Sequence, residues 1–186
     1  MTAGLDKTLR IFQVDGKANS KIQSVYLKDL PIHCAKFTND GREVIVTGRR
    51  KHFYSMDIEK GTTQRIFGIR GRDDEHSFEK FFVSPCNKYL VFPSKRGHIS
   101  LLSKNTKQWI SDLKMNSEIQ DIGFSGDGQY MYSFGGIIYK FDNLDDGAIF
   151  AWDLGMRKCV SQFNDQGFVG GGSLSVSNDN KYLATG

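Results

Sequence analysis

Helix signals are what this 186-residue sequence has least of. No window sustains apolar residues at i, i+3, i+4 and i+7, and none is opened by a capping box. Nothing approaches the roughly 20 consecutive apolar residues that cross a bilayer, and "MTAGLDKTLR" lacks the apolar run of a signal peptide, so neither a membrane partner nor secretion is expected. The three cysteines, Cys34, Cys86 and Cys159, are odd in number, far apart and without a C-x-x-C pair. That argues against a disulfide framework or a zinc site and fits a reducing compartment. The net charge of +4 is a mild excess that permits an acidic partner such as RNA and does not demand one.

Convergent catalytic groups are scarce as well. An enzyme needs a nucleophile with a base in reach, or metal ligands at useful spacing. His33, His52, His76 and His98 stand apart, with no H-E-x-x-H and no carboxylate partner that repeats in sequence. His33-Cys34 reads as the wall of a strand, and the "DDE" at 73–75 as a solvated loop. "FVGGGS", residues 168–173, has a phosphate loop's glycines without the Lys-Ser/Thr or the helix that such a loop requires. No catalytic residue, metal ligand or cofactor is expected.

Strand signals fill the chain instead. "KTLRIFQV", "EVIVTG", "HFYSMD", "KYLVFP", "HISLLS", "YMYSF", "AIFAWD" and "KYLATG" are short, rich in β-branched and aromatic residues, and bounded by Gly, Asn, Asp and Ser. Superposed, they give a fixed strand-turn-strand unit with markers at Phe37, Val83, Phe124 and Val176, spaced by 46, 41 and 52 residues. The turns "NDG", "GDG" and "NDN" tolerate the positive φ of a tight hairpin. A second marker keeps the same beat: Trp152-Asp153 is a literal "WD", and Phe12, Met56 and Leu102 stand at its equivalent positions, at steps of 44, 46 and 50. Strands at this period predict an all-β, WD-repeat β-propeller. The large apolar residue at each second marker is expected to fill the layer between neighbouring blades. The units run approximately 1–29, 30–75, 76–117, 118–168 and 169–186, about four blades' worth of strands, with both ends cut mid-blade. We expect part of a larger propeller of about seven blades, in which ring closure removes exposed strand edges.

"TAGLDKTLRIFQVDGKANSKIQSVYLKDLPI", then "CAKFTNDGREVIVTG" and later "RKCVSQFNDQG" resemble the WD-repeat proteins of the U3 small nucleolar RNA-associated, small-subunit processome set, over nearly the whole chain. The resemblance implies a nucleolar, non-catalytic scaffold that assembles with other WD-repeat processome proteins, U3 RNA and pre-ribosomal RNA. A WD-repeat adaptor presenting a peptide to another machine, such as a ubiquitin ligase, is the alternative that the fold allows. Family blades use a His-Asp-Ser/Thr-Trp hydrogen-bond network. Here Asp6 and Asp146 occupy its Asp position, Arg50 and Arg96 replace it elsewhere, and the Gly-His before the first strand is missing. The blades are therefore expected to rely mainly on apolar packing.

Strand reversal places the second-to-third strand turns and the links between blades at one end. That end gathers Lys7, Arg49, Arg50, Lys51, Arg70, Arg72, Lys95 and Arg96, a set suited to RNA phosphates or an acidic partner. The distance from first to second marker is 19 residues in two units and 28 in the third, so nine residues, approximately Ile137 to Asp145 ("IIYKFDNLD"), are an insertion in that turn. It reads equally as a contact loop or as a product of splicing or gene modelling. The expectation is that "AIFAWD", not "IIYKFD", is the true third strand.

Overall fold

The computed structural model describes residues 1–14, 21–68, 78, 80–94, 97–115, 118–136, 148–164 and 172–186. Among these the chain is all-β, without a helix. β1 (Thr2–Ala3), β2 (Thr8–Phe12) and β3 (Lys21–Tyr26) form the first sheet. The second contains β4 (Cys34–Phe37), β5 (Glu43–Thr47), β6 (His52–Asp57) and β7 (Thr63–Phe67), and the third β8 (Phe82–Val83), β9 (Tyr89–Pro93), β10 (His98–Ser103) and β11 (Trp109–Lys114). The fourth contains β12 (Glu118–Phe124), β13 (Tyr130–Gly136), β14 (Ala148–Asp153) and β15 (Lys158–Asn164), and β16 (Leu174–Val176) pairs with β17 (Leu183–Thr185). Antiparallel four-stranded meanders in chain order are the strand arrangement of propeller blades, as the repeat spacing predicts. Two compact units result, Met1–Phe81 and Phe82–Gly186.

One turn chemistry recurs between the first and second strands. Thr38, Ser84, Ser125 and Ser177 each place a hydroxyl where it accepts the N–H five residues on, from Glu43, Tyr89, Tyr130 and Tyr182, at 2.9–3.1 Å. Three of these hydroxyls donate to a carboxylate two residues on, Asp40, Asp127 or Asp179, at 2.6 Å. The hydroxyl bonds and backbone N–H groups hold Asp127 and Asp179 below the usual carboxylate range. The left-handed position is taken by Gly41 (φ 68°), Asn87 (60°), Gly128 (70°) and Asn180 (60°), residues that pay little for it.

The Asp of the "WD" pair caps the next turn. Asp153 Oδ1 accepts the Met156 N–H at 2.8 Å, as Asp57 Oδ1 accepts Lys60 N–H at 2.9 Å and Ser103 Oγ accepts Thr106 N–H at 3.3 Å. The following N–H in each, from Ile58, Lys104 and Leu154, donates to Arg42, Lys88 and Gln129 across the sheet at 2.9–3.0 Å. The two turns of each four-stranded sheet are thereby tied side by side.

The register also aligns the second marker. Met56 lies opposite Val44, Leu102 opposite Leu90 and Trp152 opposite Met131. Because Ala148 pairs with Gly135 and Trp152 with Met131, "AIFAWD" is the third strand, as the spacing predicts; residues 137–147, which include the inserted stretch and Asp146, lie outside the described residues. The ladder to the fourth strand shifts register beside Phe12, Leu102 and Trp152, a bulge that sharpens local twist. No shift accompanies Met56.

Apolar layers join the sheets within each unit. In Met1–Phe81, Leu9 and Ile11 of β2 pack with Leu27, Leu30 and Ile32 of the following link and with Val44, Val46 and Met56 of the second sheet. In Phe82–Gly186, Ile99, Leu101 and Leu113 pack with Met131, Trp152 and Leu154 of the fourth sheet. A fully buried side chain of this size contributes roughly 1.5–3 kcal/mol, against about 1 kcal/mol for one net hydrogen bond. Packing therefore fixes which faces meet, and the turns fix their register. Met56 and Trp152 fill these layers as expected. Phe12 is half-buried and is not part of this layer, which Leu9 and Ile11 supply from β2. Strand alternation turns Leu9 and Ile11 toward the second sheet and Phe12 to the other face, the face by which Met56 of its own sheet meets the first.

Candidate functional site

The basic end of the first unit is built around the link 27–33. Leu27 N–H donates to Lys7 O (2.8 Å), Ile32 N–H to Gly4 O (3.3 Å) and His33 N–H to Thr47 O (2.9 Å). The link thus lies against the second-to-third strand turns of both the first and the second sheet. A Cβ at Gly48 would overlap the Pro31 carbonyl, so only glycine permits this approach. Lys7, at φ 62°, donates its Nζ to Lys28 O at 2.9 Å. Arg49, Arg50 and Lys51 follow Gly48 and are exposed. Four of the predicted cations therefore do share one end, joined by Lys28. Arg70, Arg72, Lys95 and Arg96 lie outside the described residues.

Beside that turn is a polar network that the sequence did not announce. Asp29, from the link, accepts the Tyr54 hydroxyl at 2.8 Å and pairs with Arg65 Nη2 at 3.0 Å. His52 Nε2 stands 3.4 Å from the same carboxylate without a formed hydrogen bond, while its Nδ1 lies 3.2 Å from Arg65 Nη2. A guanidinium only donates, so Nδ1 accepts and the imidazole proton sits on Nε2. The His52 side chain is 8% exposed. Burial first, then the neighbouring Arg65, push its pKa below the ordinary value, outweighing the pull of Asp29. Asp29 is held below the usual carboxylate range, chiefly by the Tyr54 hydroxyl and further by the Arg65 guanidinium. Burial raises Tyr54, and its bond to Asp29 adds to this.

Cross-strand pairing explains who meets whom. Tyr54 is opposite Arg65, and His52 opposite Phe67, so all four share one face of the second sheet. The His52 ring is edge-on to Tyr54 at 5.6 Å and tilted over Phe67 at 6.1 Å. The Arg65 guanidinium lies over the Phe67 ring at 4.9 Å. Gly68 N–H donates to Lys51 O at 2.9 Å, which docks this outer strand against the basic turn.

The third sheet repeats the theme at the same address. His98, which like His52 opens a third strand, has Nδ1 3.0 Å from Asp112 Oδ2, and Ser100 donates to Asp112 Oδ1 at 3.1 Å. Both histidines thus stand beside a carboxylate, from a link for His52 and a fourth strand for His98, at sequence distances that do not repeat. Asp6 is not in an interior network. Exposed, it accepts Thr8 N–H at 3.1 Å and pairs with Arg10 at 2.8 Å, and the Arg10 bond leads the causes that lower its pKa. The fourth sheet has a buried indole bond: Trp152 Nε1–H donates to Ser133 Oγ at 2.8 Å, and Ser133 donates to Met115 Sδ at 2.9 Å. Met115 precedes the first strand, where the family pattern has histidine.

Burial raises the Cys34 thiol, as suits a strand wall. Among the described residues no group of three or more His, Cys, Asp or Glu side chains is placed to hold a metal ion, and no helix is long and apolar enough to cross a membrane.

No family model matches the chain. All of the chain is similar to the U3 small nucleolar RNA-associated protein 18 homolog of Arabidopsis thaliana, 43% identical over 186 residues and 32% of that protein. It is similar to the human homolog at 36% identity, again over the whole chain and 32% of the relative. The probable U3 small nucleolar RNA-associated protein 18 of Schizosaccharomyces pombe is 33% identical over 189 residues, 34% of its length. The chain spans about a third of the length of these curated relatives.

Proposed function

From homologues named U3 small nucleolar RNA-associated protein 18, at 33–43% identity along the whole chain, we propose that this protein works in ribosome biogenesis in the nucleolus. Its role there is that of a non-catalytic scaffold of the small-subunit processome, assembling with other WD-repeat proteins, U3 RNA and pre-ribosomal RNA. The observation that carries the reading is the unbroken similarity to plant, human and fungal relatives that share one name. Blades tied by packing and turn caps supply surfaces and rigid edges, which a scaffold needs and which require no reacting group.

In this reading the end bearing Lys7, Arg49, Arg50 and Lys51 faces RNA. Arg offers paired donors to one phosphate, and the turn is presented on a rigid two-sheet base. The test is affinity purification of the tagged full-length protein from nucleolar extract. Enrichment of U3 RNA together with other WD-repeat processome proteins is expected. Recovery of a ubiquitin-ligase complex without U3 RNA would replace the scaffold with a peptide-presenting adaptor.

A further inference from the structure

We propose that Phe67 and Arg65, on the outer strand of the second sheet, form a stacking platform for an unpaired base of single-stranded RNA, beside the phosphate-binding turn Arg49–Lys51; this rests on the basic end being the RNA-facing end. Phe67 closes the strand and is 62% exposed. A large aromatic ring left that open on a β-edge is costly to hydrate and is the kind of surface on which a base stacks. Its position is set twice, by pairing with His52 and by the Gly68–Lys51 backbone bond, so the ring is held next to the cations.

The chemistry favours a base over an acidic peptide. Nη2 of Arg65 already meets Asp29 at 3.0 Å and His52 Nδ1 at 3.2 Å. A carboxylate arriving at Arg65 would meet the Asp29 charge and compete for the same donor. A base asks instead for a flat face, which the guanidinium, itself lying over one face of the ring at 4.9 Å, offers on its outer side. The Asp29 bond holds that plane in place, so little side-chain freedom is left to lose on binding. Arg49, Arg50 and Lys51 then take the flanking phosphates, and RNA recognised this way is single-stranded, because its bases must be splayed out to stack.

The test uses full-length protein, a fluorescent short oligouridine, an abasic RNA of the same length and a polyglutamate peptide, read by anisotropy across salt concentrations. Phe67→Ala is expected to weaken oligouridine binding roughly tenfold, the size of one lost base stack. The salt slope should stay unchanged, because no phosphate contact is lost. Phe67→Tyr should restore binding, and abasic RNA should not sense either variant. Unchanged oligouridine affinity in Phe67→Ala, with binding still lost in Arg50→Glu/Lys51→Glu, overturns the platform and leaves the basic end standing. Failure of the wild type to bind either RNA removes both. Tight binding of polyglutamate that Phe67→Ala does not alter overturns the platform in favour of an acidic peptide.

Discussion

The second and fourth sheets have the same strand order and capped turns but place their polar groups differently. In the fourth, Trp152 donates into the core to Ser133, which in turn donates to Met115, all buried. In the second, the corresponding residues are Met56 and Val46, both apolar and buried, and the polar network of Asp29, His52, Tyr54 and Arg65 sits at the rim beside exposed cations. An interior hydrogen bond fixes one rotamer and gains little net energy. A rim network orients groups that a partner can still reach. The fourth sheet's polar bond thus lies inside the core, and the second sheet's network opens onto a surface.

The largest expected break is Trp152→Ala. It removes both the buried indole, stacked on Phe150 at 5.9 Å, and the Ser133 bond, and should cost about 3–5 kcal/mol by denaturant unfolding. Ser133→Ala leaves the indole N–H buried and unpaired, at about 1–3 kcal/mol. In a double-mutant cycle with Trp152→Phe, the two losses should be less than additive.

The turns offer a second contrast. Gly41 and Gly128 occupy one turn position at φ 68° and 70°. A Cβ at Gly41 meets nothing within 4 Å among the described residues, whereas at Gly128 it would come within 2.8 Å of Cys86 N and Sγ. Gly41→Ala should therefore cost only the left-handed penalty of about 1–2 kcal/mol, and Gly128→Ala measurably more, by comparison of unfolding midpoints.

The smallest effect separates the rim from the core by pH. His52 has its pKa lowered in the folded protein, so the unfolded chain takes up a proton that the folded one refuses. Stability should be full above the unfolded value of about 6.5 and fall as the pH drops below it. His52→Gln should flatten that slope, measured as the unfolding midpoint between neutral and mildly acidic pH, and Ser133→Ala should leave it intact.

Hairpin chemistry made the fold legible. Turns rich in Gly, Asn and Asp and a constant distance from the first-strand to the third-strand marker are local signals, and they located β14 at "AIFAWD" despite nine extra residues. The site was legible only in outline. Strand reversal was enough to collect Lys7 and Arg49–Lys51 at one end. The Asp29 network was hidden, because its members come from a link, a third strand and a fourth strand whose meeting depends on register. Cys86 standing where other turns have Asp, and Met115 where the family has His, were hidden because substitution by an unlike residue erases the pattern while the packing remains.

On the proposed reading, the rim of the second sheet contacts RNA. The direct measurement is ultraviolet crosslinking of full-length protein to pre-ribosomal RNA in cells, comparing wild type with Arg49→Glu/Arg50→Glu/Lys51→Glu and with Ser133→Ala at matched protein levels. Crosslinking is expected to fall sharply in the charge-reversed protein and to persist in Ser133→Ala. Crosslinking unchanged by charge reversal would remove the rim of the second sheet as an RNA contact.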